Sequence, residues 1–175
     1  EFDFDGARLR YPDIRLVYWA GGNPFHHHQD LARLQRAFAQ PEVVIVHEQF
    51  WTATARHADI VLPATTTLER DDIGCSRGSD ALVAMPRVTR PRGEARSDFA
   101  IFRALAHELG AGARFDEGRD EWEWLEHLYE TWRAALPDGD DPGLDFAGFW
   151  AKGRIDLPWA TRDRVLYADF RADPD

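Results

Sequence analysis

Two short runs dominated by Val, Ile and aromatic residues, Asp13–Ala20 (DIRLVYWA) and Glu42–Glu48 (EVVIVHE), do most to limit what this chain can fold into. Each is apolar almost throughout rather than alternating. That is the pattern of a strand buried on both faces, and such strands belong to parallel sheets covered by helices. Between them, DLARLQRAFA sets Leu31, Leu34 and Phe38 at helical spacing behind Asp30, which is able to cap the first turn. ADIVLPA (Ala58–Ala64) reads as a third strand, ended by Pro63. A strand–helix–strand unit extended in this way predicts an α/β fold.

Beyond Pro63 the pattern loosens. Thr65–Asp80 reads as a polar loop, and Ala81–Thr89 as a weakly alternating strand, part of a hairpin or an edge because Pro86 interrupts it. Ser97 is a good N-cap for a helix through Gly110, with Phe99, Phe102, Leu105, Ala106 and Leu109 on one face. A second helix over Asp120–Leu136 repeats Trp122, Leu125, Tyr129, Trp132 and Leu136 at spacings of three and four, a core stripe. A short helix near Leu144–Ala151 and a last strand, Arg164–Phe170, complete the reading. The fold class expected is a three-layer, mostly parallel, Rossmann-like sheet flanked by helices. It forms a single domain over 1–175, with the core motifs in 11–110 and a helical extension plus C-terminal strand in 111–175.

Charge and cysteine content exclude several functions. The 31 acidic against 21 basic side chains give a net charge of −10, and no Lys/Arg block carries interleaved aromatics, so nucleic acid is not an expected partner. The single cysteine, Cys75, rules out an internal disulfide framework and any Cys-rich zinc or iron–sulfur site. No apolar run approaches the roughly 18 residues of a membrane span.

In an open parallel sheet, ligands bind beyond the C-terminal ends of the strands. That edge would carry GGNPFHHHQ (Gly21–Gln29), HEQFWTAT (His47–Thr54) and PATTTLER (Pro63–Arg70). Gly21 and Gly22 allow a tight turn and close approach to a ligand, and a helix start after them would aim unpaired N–H groups at an anion. The stretch matches neither G-x-G-x-x-G nor the P-loop pattern. His26, His27, His28, His47 and His57, with Glu48 and Asp59, are enough ligands for zinc, but adjacent histidines diverge and only His26/His28 have chelating spacing. The other reading gives these imidazoles hydrogen bonds to a polar ligand or to the backbone. Glu48, just past the second strand, stands where an acidic residue takes a ribose hydroxyl pair, and Asp59 and Arg70 are candidates for a base edge and an anion. Asp98 suits the start of its own helix.

Taken together, YPDIRLVYWAGGNPFHHHQDLARL, VVIVHEQFWTATARHADIVLPATTTLERDDIG and EARSDFAIFRALAHELG resemble the molybdopterin guanine dinucleotide oxidoreductases of the dimethyl sulfoxide reductase family. The likeness is to the branch reducing S-oxides and N-oxides, closest to its members acting on biotin sulfoxide. It runs in register from Tyr11 to Leu109 and more loosely to Tyr129.

The resemblance implies the third domain of a larger catalytic subunit, binding bis(molybdopterin guanine dinucleotide) molybdenum together with other domains of its parent chain. The activity implied is oxygen-atom transfer from biotin, methionine or dimethyl sulfoxide or trimethylamine N-oxide, with a redox donor protein as partner. The protein ligand to molybdenum would lie outside this segment, which would be inactive alone, bind no metal directly and contribute no catalytic residue. Carried over by position, Gly22, Asn23, His27 and Gln29 would meet the pterin and phosphates. His47 and Glu48 would hold the nucleotide, and Asp59, Arg70 and Asp98 the guanosine or its pyrophosphate. Asp71 stands where the family commonly has Asn, beside Arg70. The likeness favours the cytoplasm over the periplasm. The alternatives are a metal-dependent hydrolase built on His26, His28, His47 and Asp59, and a non-catalytic nucleotide-binding domain.

Overall fold

The structure is a computed structural model and describes residues 1–76, 79–137, 139–157 and 167–173. It opens with a hairpin that the reading above leaves unassigned. Strands β1 (Phe2–Phe4) and β2 (Ala7–Leu9) pair antiparallel with Phe4 opposite Ala7. Only Asp5 and Gly6 separate them, at φ 49° and 75°, the left-handed pair that lets a two-residue turn follow the strand twist.

The three expected parallel strands are present and slightly shorter than read. β3 (Leu16–Ala20) leads through α1 (Pro24–His27) and α2 (Leu31–Phe38) to β4 (Val43–Glu48), and α3 (Ala53–Arg56) leads to β5 (Ile60–Pro63). The sheet order is β3-β4-β5, with Ala20 opposite His47 and Glu48 opposite Pro63. Asp30 caps α2 as expected, accepting from Arg33 N at 2.9 Å. Val44 and Val46 are buried with Ala55 against Val17, Trp19 and Phe38, so α2 covers one face of β4. His47 is next in the alternation and points the other way, onto Phe102.

Thr65–Asp80 is not only loop. A 3₁₀ turn at Thr67–Glu69 is closed by a reciprocal capping box in which Thr66 N donates to Glu69 Oε2 at 2.8 Å. That N–H, the leading cause, holds the Glu69 carboxyl below its usual range against the opposing effect of burial. Next come β6 (Asp72–Gly74), β7 (Ala81–Met85), α4 (Asp98–Glu108), α5 (Gly112–Asp116), α6 (Glu121–Ala134), α7 (Phe146–Lys152), β8 (Arg154–Asp156) and α8 (Ala168–Ala172). β6, β7 and β8 form a separate antiparallel sheet in that order, so the expectation of a mostly parallel sheet is corrected. The chain between β6 and β7 is shorter than the dozen or so residues a parallel crossover needs, which leaves only the hairpin.

The C-terminal strand expected over Arg164–Phe170 is also corrected. Arg164–Leu166 lie outside the described residues, and Ala168–Ala172, rich in helix-favouring Ala and Arg, form α8. The strand that closes the second sheet is β8 instead. Helices α6 and α7 pack on this sheet, burying Leu125, Tyr129, Phe146 and Phe149 against Leu82, Ala84 and Ile155. Ser97 caps α4 as read, but only part of the expected face is covered. Phe99, Phe102 and Ala106 are half-buried, whereas Leu105 and Leu109 are exposed near the C-terminal end.

The partner of that end of α4 is α5, joined to it through the buried Asp116. Its Oδ2 accepts from His107 Nε2 and Arg103 Nε, each at 2.7 Å, and its Oδ1 from Gly118 N at 2.9 Å. These donors, His107 foremost, hold the Asp116 carboxyl far below its ordinary value. A depressed folded-state pKa stabilises above the unfolded-state value and is lost as pH falls through the folded-state one. Thermal melts of wild type and Asp116→Asn should therefore differ most near neutrality and converge as the pH drops below about 4, where the unfolded carboxyl takes up its proton. A gap that stays constant with pH would remove Asp116 from the acid sensitivity.

Among the described residues no helix is long and apolar enough to cross a membrane.

Candidate functional site

At the C-terminal edge of the parallel sheet the connections open around a cavity of about 380 Å³. The turn after β3 supplies Gly21, Gly22, Asn23 and His27 to its walls. The end of β4 and its following loop supply His47, Glu48, Gln49 and Thr52, and the end of β5 supplies Ala64. Asp98 arrives from a distant part of the sequence. Ala64 bridges Arg96 in parallel, Thr65 N donates to Arg96 O at 3.0 Å, and Arg96 N donates to Pro63 O at 3.1 Å. This pairing extends the sheet edge by one bridge and delivers the Ser97 cap, and with it Asp98, to the cavity.

Asn23, His47, Glu48 and Asp98 are each held by a specific neighbour. Gly21 and Gly22 take φ of 80° and 74°, and no heavy atom lies within 4 Å of where a Gly21 Cβ would stand, so the turn presents bare backbone to open space. Asn23 Oδ1 accepts from the buried Thr54 hydroxyl, which leaves the Asn23 amide N–H₂ available as a donor. Glu48 accepts from Gln49 N at 2.9 Å through Oε1 and from Thr52 Oγ1 at 2.8 Å through Oε2, fixing its carboxylate at the rim. His47 lies between two partners, with Nε2 2.7 Å from the Tyr18 hydroxyl and Nδ1 2.6 Å from Asp98 Oδ1.

Six of the nine residues selected from sequence, Gly22, Asn23, His27, His47, Glu48 and Asp98, thus meet in one cavity. The other three do not. Gln29 lies with His28, Asp30 and Arg33 around a different depression on α2. Asp59 stands at the entry to β5, away from the edge, where its Oδ2 accepts from Val44 N at 2.8 Å and locks the strand register. Arg70 lines two neighbouring cavities of about 420 and 240 Å³, the second shared with Asp98. Its guanidinium pairs with Asp72 at 3.0 Å and donates to Thr65 O at 3.2 Å. Asp71 accepts instead from Arg87 N.

The expected anion-binding helix start is also corrected. The helix directly after the glycines is one turn long with Pro24 at its first position, which removes a donor, and α2 begins only after the carboxylate cap Asp30. The hydrolase alternative needs His26, His28, His47 and Asp59 together, and the fold separates them. His47 is at the end of β4 with both nitrogens engaged, and Asp59 is at the opposite end of its strand. Among the described residues no three His, Cys, Asp or Glu side chains converge as metal ligands.

Gln49, Thr52, Thr54 and Tyr18 also shape the site, and the sequence alone does not single them out. The T-x-T spacing of Thr52 and Thr54 was a visible signal, since a strand exit followed by an N-cap threonine marks a helix start. Tyr18 carried none, because its pairing with His47 depends on the register between β3 and β4.

Comparison with known proteins bears on this arrangement. Residues 7–108 match the molybdopterin oxidoreductase family. The chain is 51% identical over 174 residues to a biotin sulfoxide reductase of Cereibacter sphaeroides, covering 99% of this chain and 23% of that protein. It is 49% identical to a dimethyl sulfoxide/trimethylamine N-oxide reductase of the same organism and 42% identical to a trimethylamine-N-oxide reductase of Haemophilus influenzae, covering 99% of this chain and 22% of each. It therefore spans less than a quarter of the length of these relatives. Acetylene hydratase from Pelobacter acetylenicus superimposes with a TM-score of 0.65 at 20% identity over 82% of this chain and 18% of that one, a likeness of fold.

Proposed function

The chain belongs to the molybdopterin oxidoreductase family, and from that premise we propose that it is the cofactor-gripping α/β domain of a molybdenum enzyme that reduces S-oxides or N-oxides. The observation that carries the reading is the cavity at the edge of the parallel sheet, where nine polar or glycine positions from three separate segments converge. Relatives at 42–51% identity are named for sulfoxide and N-oxide reduction, which supports the substrate class. Helix α2 packing through Phe38 on Trp19, and α4 through Phe102 on Tyr18, support a three-layer Rossmann-like arrangement.

The side chains present fit a pterin dinucleotide. The bare backbone of Gly21 and Gly22, with the Asn23 amide, offers donors to phosphate oxygens. Glu48 and Asp98 offer carboxylate acceptors to ribose hydroxyls and base N–H groups, the division of labour dinucleotide sites use. When bound, the molybdenum pterin supplies the oxygen-atom transfer, with the oxygen leaving as water on delivery of two electrons and two protons. The work of this chain is binding and orientation. Thr54 fixes which end of the Asn23 amide faces the cavity, and Thr52 with Gln49 N fixes the Glu48 carboxylate.

The test is elemental and nucleotide analysis of the full-length parent, purified from cells able to make the pterin cofactor. Stoichiometric molybdenum, guanine nucleotide released on acid hydrolysis, and sulfoxide- or N-oxide-dependent oxidation of a reduced viologen are expected. Zinc without molybdenum would overturn the proposal.

A further inference from the structure

We infer that Tyr18 and His47 are positioning residues that hold Asp98 as a fixed hydrogen-bond acceptor on the cavity wall, so that His47 itself makes no hydrogen bond to the ligand. This rests on reading the cavity as the seat of the dinucleotide, and it reverses the role that position alone suggests for His47.

The geometry leaves the imidazole no free nitrogen. A carboxylate only accepts, so the 2.6 Å contact with Asp98 Oδ1 takes the Nδ1–H, and Nε2 lies 2.7 Å from the Tyr18 hydroxyl, which occupies the second nitrogen. Burial, with the Asp98 charge adding to it, pushes the Tyr18 phenol above its usual range, so the phenol stays protonated beside the ring. Exposure separates the roles as well. The His47 side chain is 1% accessible and that of Asp98 is 47% accessible, so of the two it is the carboxylate that a ligand can reach. Asp98 Oδ1 is occupied, and Oδ2 has no protein partner among the described residues.

Packing holds the chain of contacts rigid. The Phe102 ring lies 4.8 Å from the His47 ring and 5.6 Å from the Tyr18 ring, centroid to centroid, and closes off other rotations of both. The strand pairing of Ala20 with His47 sets their height. A carboxylate fixed at one oxygen loses less freedom when its other oxygen binds, which is how preorganisation raises affinity. Such an acceptor suits an N–H or O–H donor on the ligand and disfavours a phosphate or carbonyl oxygen.

Two isosteres of His47 separate positioning from packing, because each reproduces one ring nitrogen. The Asn amide nitrogen stands where Nδ1 does and can still donate to Asp98; the Gln amide nitrogen stands where Nε2 does and reaches Tyr18 only. The full-length parent is purified as wild type, His47→Asn, His47→Gln, Tyr18→Phe and Asp98→Asn. Molybdenum and released guanine nucleotide are measured per chain, with thermal melting to establish that each variant is folded.

His47→Asn, which keeps the donor to Asp98 and loses only the Tyr18 contact, should fall no further than Tyr18→Phe. His47→Gln and Asp98→Asn should fall about tenfold, the ratio a hydrogen bond to a charged group is worth. Tyr18→Phe should fall by a smaller factor. If the wild type is loaded and His47→Asn and His47→Gln behave alike, or Asp98→Asn loads fully, the positioning role is wrong while the cofactor reading stands. A wild type holding neither molybdenum nor guanine nucleotide would overturn both.

Discussion

Replacing Phe149 with alanine should destabilise the α6–α7 module by about 3–5 kcal/mol, the usual cost of deleting a buried aromatic ring. Phe149 is completely inaccessible and lies between helix and sheet, stacked on Tyr129 at 4.7 Å and 5° between ring planes. Around it are Phe146, Leu82, Ala84 and Ile155, so the vacated volume is lined by rigid rings and strand residues that cannot collapse into it cheaply. Tyr129 aggravates the loss. Its hydroxyl donates to Leu144 O at 2.8 Å, which ties the ring in place and prevents it from following the cavity.

Denaturant unfolding followed by tryptophan fluorescence is the appropriate measurement, because Trp132 and Trp150 pack on this core. Trp19 reports separately on the parallel sheet. Phe149→Leu, which refills most of the volume, should recover the larger part of the loss. If Phe149→Ala moved the midpoint no more than a surface substitution, about 0.5 kcal/mol or less, the stacked pair would not be what holds α7 to the sheet.

How far these elements could be read in advance depended on the range of the interactions that make them. β3, β4 and β5 were legible because each is an apolar, β-branched run bounded by turn residues, but burial on both faces holds only for the central β4, with β3 and β5 half-exposed at the two edges of the sheet. Asp30 and Ser97 were legible because a cap acts within its own turn. The second sheet was not, since β6 and β8 are three residues each, include Asp, Gly and Arg, and gain strand character only by pairing with β7. Two further features do carry a local signal. Asp5-Gly6 has the composition of a two-residue hairpin turn, and Thr66-Thr67-Leu68-Glu69 has the spacing of a capping box.

The site divides in the same way. Gly22, Asn23, His27, His47 and Glu48 follow from strand ends, since parallel strands place their exits side by side. Asp59 is a site candidate only by its neighbourhood in sequence, for it sits at a strand entry, where a side chain accepting from Val44 N fixes the register. Asp98 reaches the cavity only because Arg96 pairs with the exit of β5. The Tyr18–His47–Asp98 contact then needs two registers at once, so no spacing within one segment could have disclosed it.

Gly22→Val should lower the cofactor content of the full-length parent by about tenfold or more, since the branched side chain would stand where the bare backbone of the turn meets the ligand, and losing one hydrogen bond to a charged phosphate, about 1.5–3 kcal/mol, is already a factor of ten. The protein around Gly22 would not itself reject the side chain. The nearest heavy atom to its would-be Cβ is Trp19 Nε1 at 3.9 Å, an ordinary contact, so the penalty falls on the backbone at φ 74° and on the space the ligand needs.

These two causes are separable with Gly110, which follows α4 at φ 71° with nothing within 4 Å of its would-be Cβ and takes no part in the cavity. Gly110→Val carries the same kind of strain without the same position. It should lower the melting temperature while leaving the molybdenum and nucleotide content of the folded protein at the wild-type level. Gly22→Ala should fall between wild type and Gly22→Val, because a single methyl tolerates the left-handed region better than a branched side chain. Equal cofactor loss in Gly22→Val and Gly110→Val would mean that strain alone depletes the site through stability. Loss confined to Gly22 would assign the bare backbone of that turn to the ligand.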